Sequence, residues 1–167
     1  MRIFQIDLCH DLFMTKKFKQ NISQISLIYK NKVKATDRPK VVSSQDAYQL
    51  FRENWDDMTI NLYEEFKVLL VDNGNRCMGI AKLSQGGMTS TIVDVRLIFA
   101  LALKARATGL ILGHNHPSGN TKPSISDIEL TKKIIDASKI LDFQVLDHLI
   151  LTEDKYLSMA DRGLHPF

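Results

Sequence analysis

Cysteine is scarce: Cys9 and Cys77 are the only two in 167 residues. With no C-x-x-C pair and no framework spacing, they exclude a disulfide scaffold and a cysteine zinc ribbon, and they suit a reducing compartment. A dominant charge is also missing. Twenty-two Lys and Arg against nineteen Asp and Glu leave a net charge of +3. A nucleic-acid-binding module usually concentrates its basic residues on one face, and here they are scattered. The densest group, Lys30, Lys32, Lys34, Arg38 and Lys40, reads as a solvated charged edge. Long apolar runs are absent as well. The stretch "MRIFQIDLCHDLFMTKK" is interrupted by Asp7, His10 and Asp11, is too short for a membrane span, and lacks a signal-peptide core. The expectation is a cytoplasmic protein without a membrane partner. No internal repeat and no low-complexity segment is found.

What is present is the composition of a globular chain, 44% hydrophobic and 25% charged, long enough for one domain with a real core. Residues 1–40 read as an N-terminal arm with one strand, "ISQISLIYKNKVK". Residues 41–167 carry the regular pattern. "SSQDAYQLFRENW" reads as a helix capped by Ser44, with Ala47, Leu50 and Phe51 at helical spacing. "EFKVLLVDNGNRCMGIAKLS" reads as a hairpin whose Asn73-Gly74 suits a type I′ turn. Residues 92–107 read as a largely buried helix stopped near Gly109. "GLILGHNH" is a strand, and "SISDIELTKKIIDASKIL" a helix with Ile128, Thr131, Ile134, Ile135 and Leu141 on one face. "FQVLDHLILT" is another strand, and "KYLSMADRGL" a short strand or turn. Strands alternating with helices, plus a hairpin, predict a single-domain α/β fold with a mixed sheet flanked by helices.

Of the five histidines, His10 and His165 lie near the termini and His148 sits in an apolar strand beside Asp147, where it reads as packed or supporting. His114 and His116 differ. On a strand, residues two apart point to the same side, so both imidazoles can aim at one point, as Zn²⁺ requires. Asp127 follows His116 by eleven positions, across a turn at Ser118-Gly119-Asn120 and a break at Pro123. Folding back would bring its carboxylate to the imidazoles. Two histidines, one aspartate and an open position describe a catalytic zinc site. A simpler reading stands beside it. Ser124-x-x-Asp127 before an apolar helix is a capping-box-like start, with the acid where the helix dipole favours it. The two readings are compatible.

The pattern His114, His116, Pro117, Ser124, Asp127 resembles the JAMM signature of the JAB/MPN metalloprotease superfamily. "GHNHPSG" with Thr131, "LDHLI" at 146–150 and the late "GL" resemble its RadC-like branch. The resemblance covers roughly residues 40–167 and implies a JAB/MPN-like (cytidine-deaminase-like) fold. It further implies one Zn²⁺ on His114, His116 and Asp127, and a hydrolase acting on an amide bond in a peptide or isopeptide-linked protein. Ser124 would stabilise the oxyanion. A glutamate opening an upstream strand would be the general base. Glu64 and Glu65 are the candidates. Glu64 shares a strand face with Phe66, Val68 and Leu70, whereas Glu65 with Lys67 reads as a solvated pair. An acid on an apolar face fits a pocket, which selects Glu64. Asn115 and Ser118 would orient the loop or meet substrate, though ordinary turn chemistry explains them as well.

Proteins of the RadC type often carry a helix-hairpin-helix DNA-binding module, and nothing like it is found before residue 40. The expectation is therefore a stand-alone catalytic domain associated by family with DNA repair. The alternative is a non-catalytic JAMM-like module that binds DNA or a partner in repair or mobile-element biology. Oligomeric state stays open, a dimer included.

Overall fold

The structure, a computed structural model, describes residues 33–87 and 92–164. Cys9, His10, His165 and nearly all of the strand expected at 22–34 lie outside the described residues. Helix α1 (Ser44–Glu53) is capped by Ser43, one residue before the serine expected from the sequence. The reason is reciprocal: the Ser43 hydroxyl accepts from Asp46 N–H at 3.2 Å, and Asp46 Oδ2 accepts from Ser43 N–H at 2.9 Å. Ser44 instead donates its hydroxyl to Asp161 at 2.6 Å. Ala47 and Phe51, one helical turn apart, are the buried residues of this helix.

Strands β1 (Glu65–Val71) and β2 (Cys77–Gln85) form the expected hairpin. Its turn is not the expected two-residue type. Asp72 and Arg76 still pair, so the loop holds residues 73–75, and Asn75 rather than Gly74 takes the left-handed conformation, at φ 57°. Asp72 drives this, because its carboxylate accepts from the N–H groups of Gly74 and Arg76 at 2.9 and 3.0 Å.

Helix α2 (Val95–Ala105) is shorter than expected and only half buried: Ile98, Phe99, Ala102 and Ala105 face inward while Leu97 and Leu103 are exposed. Arg106 ends it in the left-handed conformation, φ 58°, and Gly109 opens the next strand instead of serving as the stop. Strand β3 (Gly109–Asn115) is buried at every position. Helix α3 (Ile125–Ile140) buries Thr131, Ile134, Ile135 and Ser138, while Leu141 beyond it is exposed rather than in the core. Strands β4 (Gln144–Leu151) and β5 (Tyr156–Ser158) follow in the same sheet.

The sheet order is β2-β1-β3-β4-β5. Among the described residues, only β3 and β4 run parallel, joined by the crossover through α3; the other pairs are antiparallel. Both faces are covered. Phe66, Val68, Leu70, Leu110 and Leu112 pack with residues of α2 and α3, and Leu69, Val71, Ile111, Leu149 and Leu151 pack with α1 and Trp55. This is the expected single-domain α/β fold with a mixed sheet. Among the described residues, no helix is long and apolar enough to cross a membrane.

Covering both faces overturns one expectation. Glu65 and Lys67 are not a solvated pair: they are 3% and 6% exposed. Their charges lie 3.3 Å apart, and Lys82 adds a second contact to Glu65 at 2.9 Å. The Lys67 ammonium also sits 4.1 Å from the Trp55 ring centroid and donates to Asn54 C=O at 2.8 Å. Burial pulls Lys67 below the ordinary lysine range, and Glu65 opposes that shift.

Candidate metal centre

Alternation along β3 sets the site. Leu110 and Leu112 point to the α2/α3 side, and His114 continues that series. Its ring is 2% exposed and stacks on Phe66, centroids 6.2 Å apart. Gly113, on the opposite side, lies so close to the Phe51 ring that an added Cβ would meet its carbons at 2.9 Å. The chain then leaves the sheet. His116 N–H donates to Leu151 C=O at 2.9 Å, Gly119 turns with φ 75°, and Gly119 N–H donates back to His116 C=O at 3.1 Å. His116 follows His114 to the same side, and the two rings stand 4.7 Å apart.

Asp127 reaches them from the first turn of α3. Ser124 is the N-cap, accepting from Asp127 N–H at 3.2 Å. Asp127 Oδ2 accepts from the Ser124 N–H and hydroxyl, each at 2.7 Å. The same carboxylate places Oδ1 3.3 Å from His114 Nε2 and Oδ2 3.6 Å from His116 Nε2. Capping and ligand presentation are thus one arrangement. The capping box orients the carboxyl group, and its outer edge faces the imidazoles.

The ligand atoms of His114, His116 and Asp127 all lie within 4.8 Å of one another, so the three could hold a metal ion. The chemistry of the donors fits a cation. His116 Nδ1 is 2.7 Å from Asn120 C=O, which has no hydrogen to give, so Nδ1 donates and Nε2 is the nitrogen left for a ligand. That Nε2 lies 2.9 Å from His114 Nε2. Without a cation, one proton must sit in this contact. Burial resists a charge on His116, but the Asp127 carboxylate and the Asn120 carbonyl outweigh it and raise its pKa above the imidazole norm. Asp127 is pushed up by burial and pulled down harder by hydrogen bonds from His114 and His116, ending well below the usual carboxylate range. Two imidazole nitrogens and one ionised carboxylate suit Zn²⁺, and three protein ligands are the number found in catalytic rather than closed structural sites.

Glu64 lies just before β1 at the rim of this cluster, half-buried. Its backbone extends the hairpin, donating to Gly87 C=O at 3.1 Å and accepting from Gly86 N–H at 2.8 Å. Burial raises its pKa, the charges of His116 and His114 lower it, and Asp127 adds to the rise. The carboxyl group therefore shares the field of all three candidate ligands. Glu65 points to the other face and belongs to the buried ion pair. Ser124 is present at the cluster, its hydroxyl hydrogen directed to Asp127.

Asn115 and His148, already singled out in the sequence, find their partners only in three dimensions. Asn115, between the two histidines, is fully buried. Its Oδ1 accepts from Glu65 N–H at 2.7 Å, and its Nδ2 donates to the carbonyls of Ile60 and Tyr63 at 2.6 and 2.7 Å. It is a clamp on the segment bearing Glu64. Ser118 accepts weakly from Asn120 N–H within the loop, at 3.4 Å. His148 is fully buried behind His114, its Nε2 2.8 Å from His114 Nδ1. A polar residue inside an otherwise apolar strand was the available signal for both.

A mixed sheet between helices, with two histidines at the carboxyl end of a central strand and an aspartate on the following helix turn, defines an α/β domain with a candidate catalytic metal centre. Residues 41–164 match the family described as RadC-like JAB domain, and the chain belongs to that family. A UPF0758 protein of Flavobacterium johnsoniae is 50% identical over 125 residues, 75% of this chain and 53% of the relative. UPF0758 proteins of Porphyromonas gingivalis and Desulfitobacterium hafniense are 37% and 36% identical, over 80% and 76% of this chain and 59% and 55% of theirs. The chain spans about half the length of the curated relatives it matches. The resemblance read from the sequence is borne out.

Proposed function

We propose that this domain is a zinc-dependent hydrolase that cleaves an amide bond, in a peptide or an isopeptide-linked protein. One observation carries the reading: three ligand atoms of the right types converge within 4.8 Å, and a half-buried carboxyl group with a raised pKa shares their field. One Zn²⁺ on His114, His116 and Asp127 would supply an acidified water and a polarised scissile carbonyl.

The protein groups then divide the work. Glu64 accepts a proton from the attacking water and delivers it to the departing amine. Burial raises its pKa, which favours the carboxyl group's taking the proton from the water and holding it until the amine departs. Ser124 turns its hydroxyl from Asp127 to the carbonyl oxygen as charge grows there. Asp127 holds its orientation during that turn through the Ser124 N–H, which still donates to Oδ2.

Zinc content and hydrolysis test this separately. Asp127→Ala should lose bound zinc. Glu64→Gln should keep one zinc per chain and lose about 10²-fold or more in kcat, assayed on linear and isopeptide-linked fluorogenic peptides. Wild-type protein that takes up no zinc after reconstitution with excess metal would sink the reading.

A further inference from the structure

His148 stands behind the candidate centre, and its partners dictate where hydrogens can be. The Thr131 hydroxyl oxygen lies 2.6 Å from Asp127 C=O and 2.6 Å from His148 Nδ1. A carbonyl carries no hydrogen, so the short contact to Asp127 consumes the single hydroxyl hydrogen of Thr131. The hydrogen between Thr131 and His148 must then come from His148 Nδ1. The other ring nitrogen, Nε2, is 2.8 Å from His114 Nδ1. His148 is fully buried, and its ring nitrogens are spent on His114 and Thr131, with no carboxylate on either among the described residues. A charged ring there would be costly, so Nε2 is an acceptor. His114 Nδ1 must donate to it, which leaves His114 Nε2 as the nitrogen facing Asp127.

We propose that His148 and Thr131 are positioning residues that hold His114 in the tautomer able to ligate a metal through Nε2. The chain of donors runs from His114 Nδ1 through His148 to the Thr131 hydroxyl and ends on the backbone carbonyl of Asp127. It begins at one candidate ligand and closes on the main chain of another. Strand β3 and helix α3 are thereby tied together behind the site. Phe66 packs the edge of the His148 ring, centroids 5.5 Å apart, and restricts its rotation. Metal-bound histidines generally need such a partner on the remote nitrogen, and losing it weakens affinity about 10- to 100-fold.

The inference rests on the zinc reading above, and its test separates the two. In the metal-free wild-type protein, long-range proton–nitrogen NMR of the imidazoles should show His148 protonated at Nδ1 and not at Nε2, and His114 protonated at Nδ1. Observation of His148 carrying its hydrogen on Nε2 would overturn the proposal whether or not zinc binds. Zinc affinity is then read by competition with a chromophoric chelator. Thr131→Val, which keeps the shape and removes the hydroxyl, should bind about 10-fold or more weakly; Thr131→Ser should bind as wild type does. His148→Gln serves as the second variant if Thr131→Val does not fold, with the same weakening expected. Wild-type affinity in folded Thr131→Val or His148→Gln would defeat the assignment. A wild-type protein that shows the expected tautomers but takes no zinc would defeat the hydrolase reading instead.

Discussion

Asn115 Oδ1 accepts the backbone N–H of Glu65 at 2.7 Å, across fifty residues of sequence. The same side chain donates to Tyr63 C=O at 2.7 Å, so Asn115 grips the main chain on both sides of Glu64. The residue between the two histidines thereby sets the position of the proposed base relative to the proposed ligands. Asn115→Ala leaves these buried groups without partners and should cost about 1–3 kcal/mol of stability, measured by denaturant unfolding. Zinc stoichiometry should persist while kcat falls. Loss of zinc with retained kcat per bound metal would contradict this division.

Zinc affinity should depend on pH through His116. Its folded pKa lies above the ordinary 6.5, so a proton competes with the metal until the pH rises past that value. Affinity should therefore fall as pH drops through it. The stability of the metal-free protein moves oppositely. A raised imidazole pKa stabilises the fold fully below 6.5, and that contribution disappears as pH rises through the folded value. Asp127→Asn should bring His116 back toward 6.5 in an NMR titration.

Gly113 should resist substitution for a packing reason. A methyl group would enter the Phe51 ring at 2.9 Å, and Phe51 is fully buried. Gly113→Ala should cost about 1–3 kcal/mol and weaken zinc binding, because the strand next to His114 must shift. Shrinking the ring with Phe51→Leu in the same chain should cost less than the sum of the two single changes. Additive losses in thermal or denaturant melts would argue against this contact.

The buried pair under Trp55 should respond unequally to its two members. Glu65→Leu takes the counter-ion from Lys67, which is 6% exposed and keeps the Asn54 carbonyl and the Trp55 ring, and should destabilise by about 3 kcal/mol. Lys67→Met leaves Glu65 its contact to Lys82 at 2.9 Å and should cost less. Equal losses in urea unfolding would show that Lys82 gives no support.

Much of this was written locally. The period of apolar residues marks the helices and strands, because each element must bury one stripe or face. Ser124 and Asp127 mark the start of α3 because a cap is satisfied within one turn. Histidines two apart at a strand end share a side by geometry alone. These features depend on neighbours in sequence, so the sequence by itself determined the fold class and, with the family resemblance, singled out the candidate ligands His114, His116 and Asp127 and the candidate base Glu64.

Other features depend on what packs against what. Glu65 and Lys67 look solvated along a single strand, and only the covering of the second sheet face by α1 and Trp55 buries them. The hairpin turn followed the Asp72 carboxylate rather than the Asn-Gly pair, since a side-chain acceptor can outweigh a dipeptide preference. The Asn115 clamp and the His114–His148–Thr131 chain join residues 17 to 50 or more positions apart. No local rule pairs them. Tertiary structure decided them because a buried polar group must find a partner wherever the fold brings one within reach.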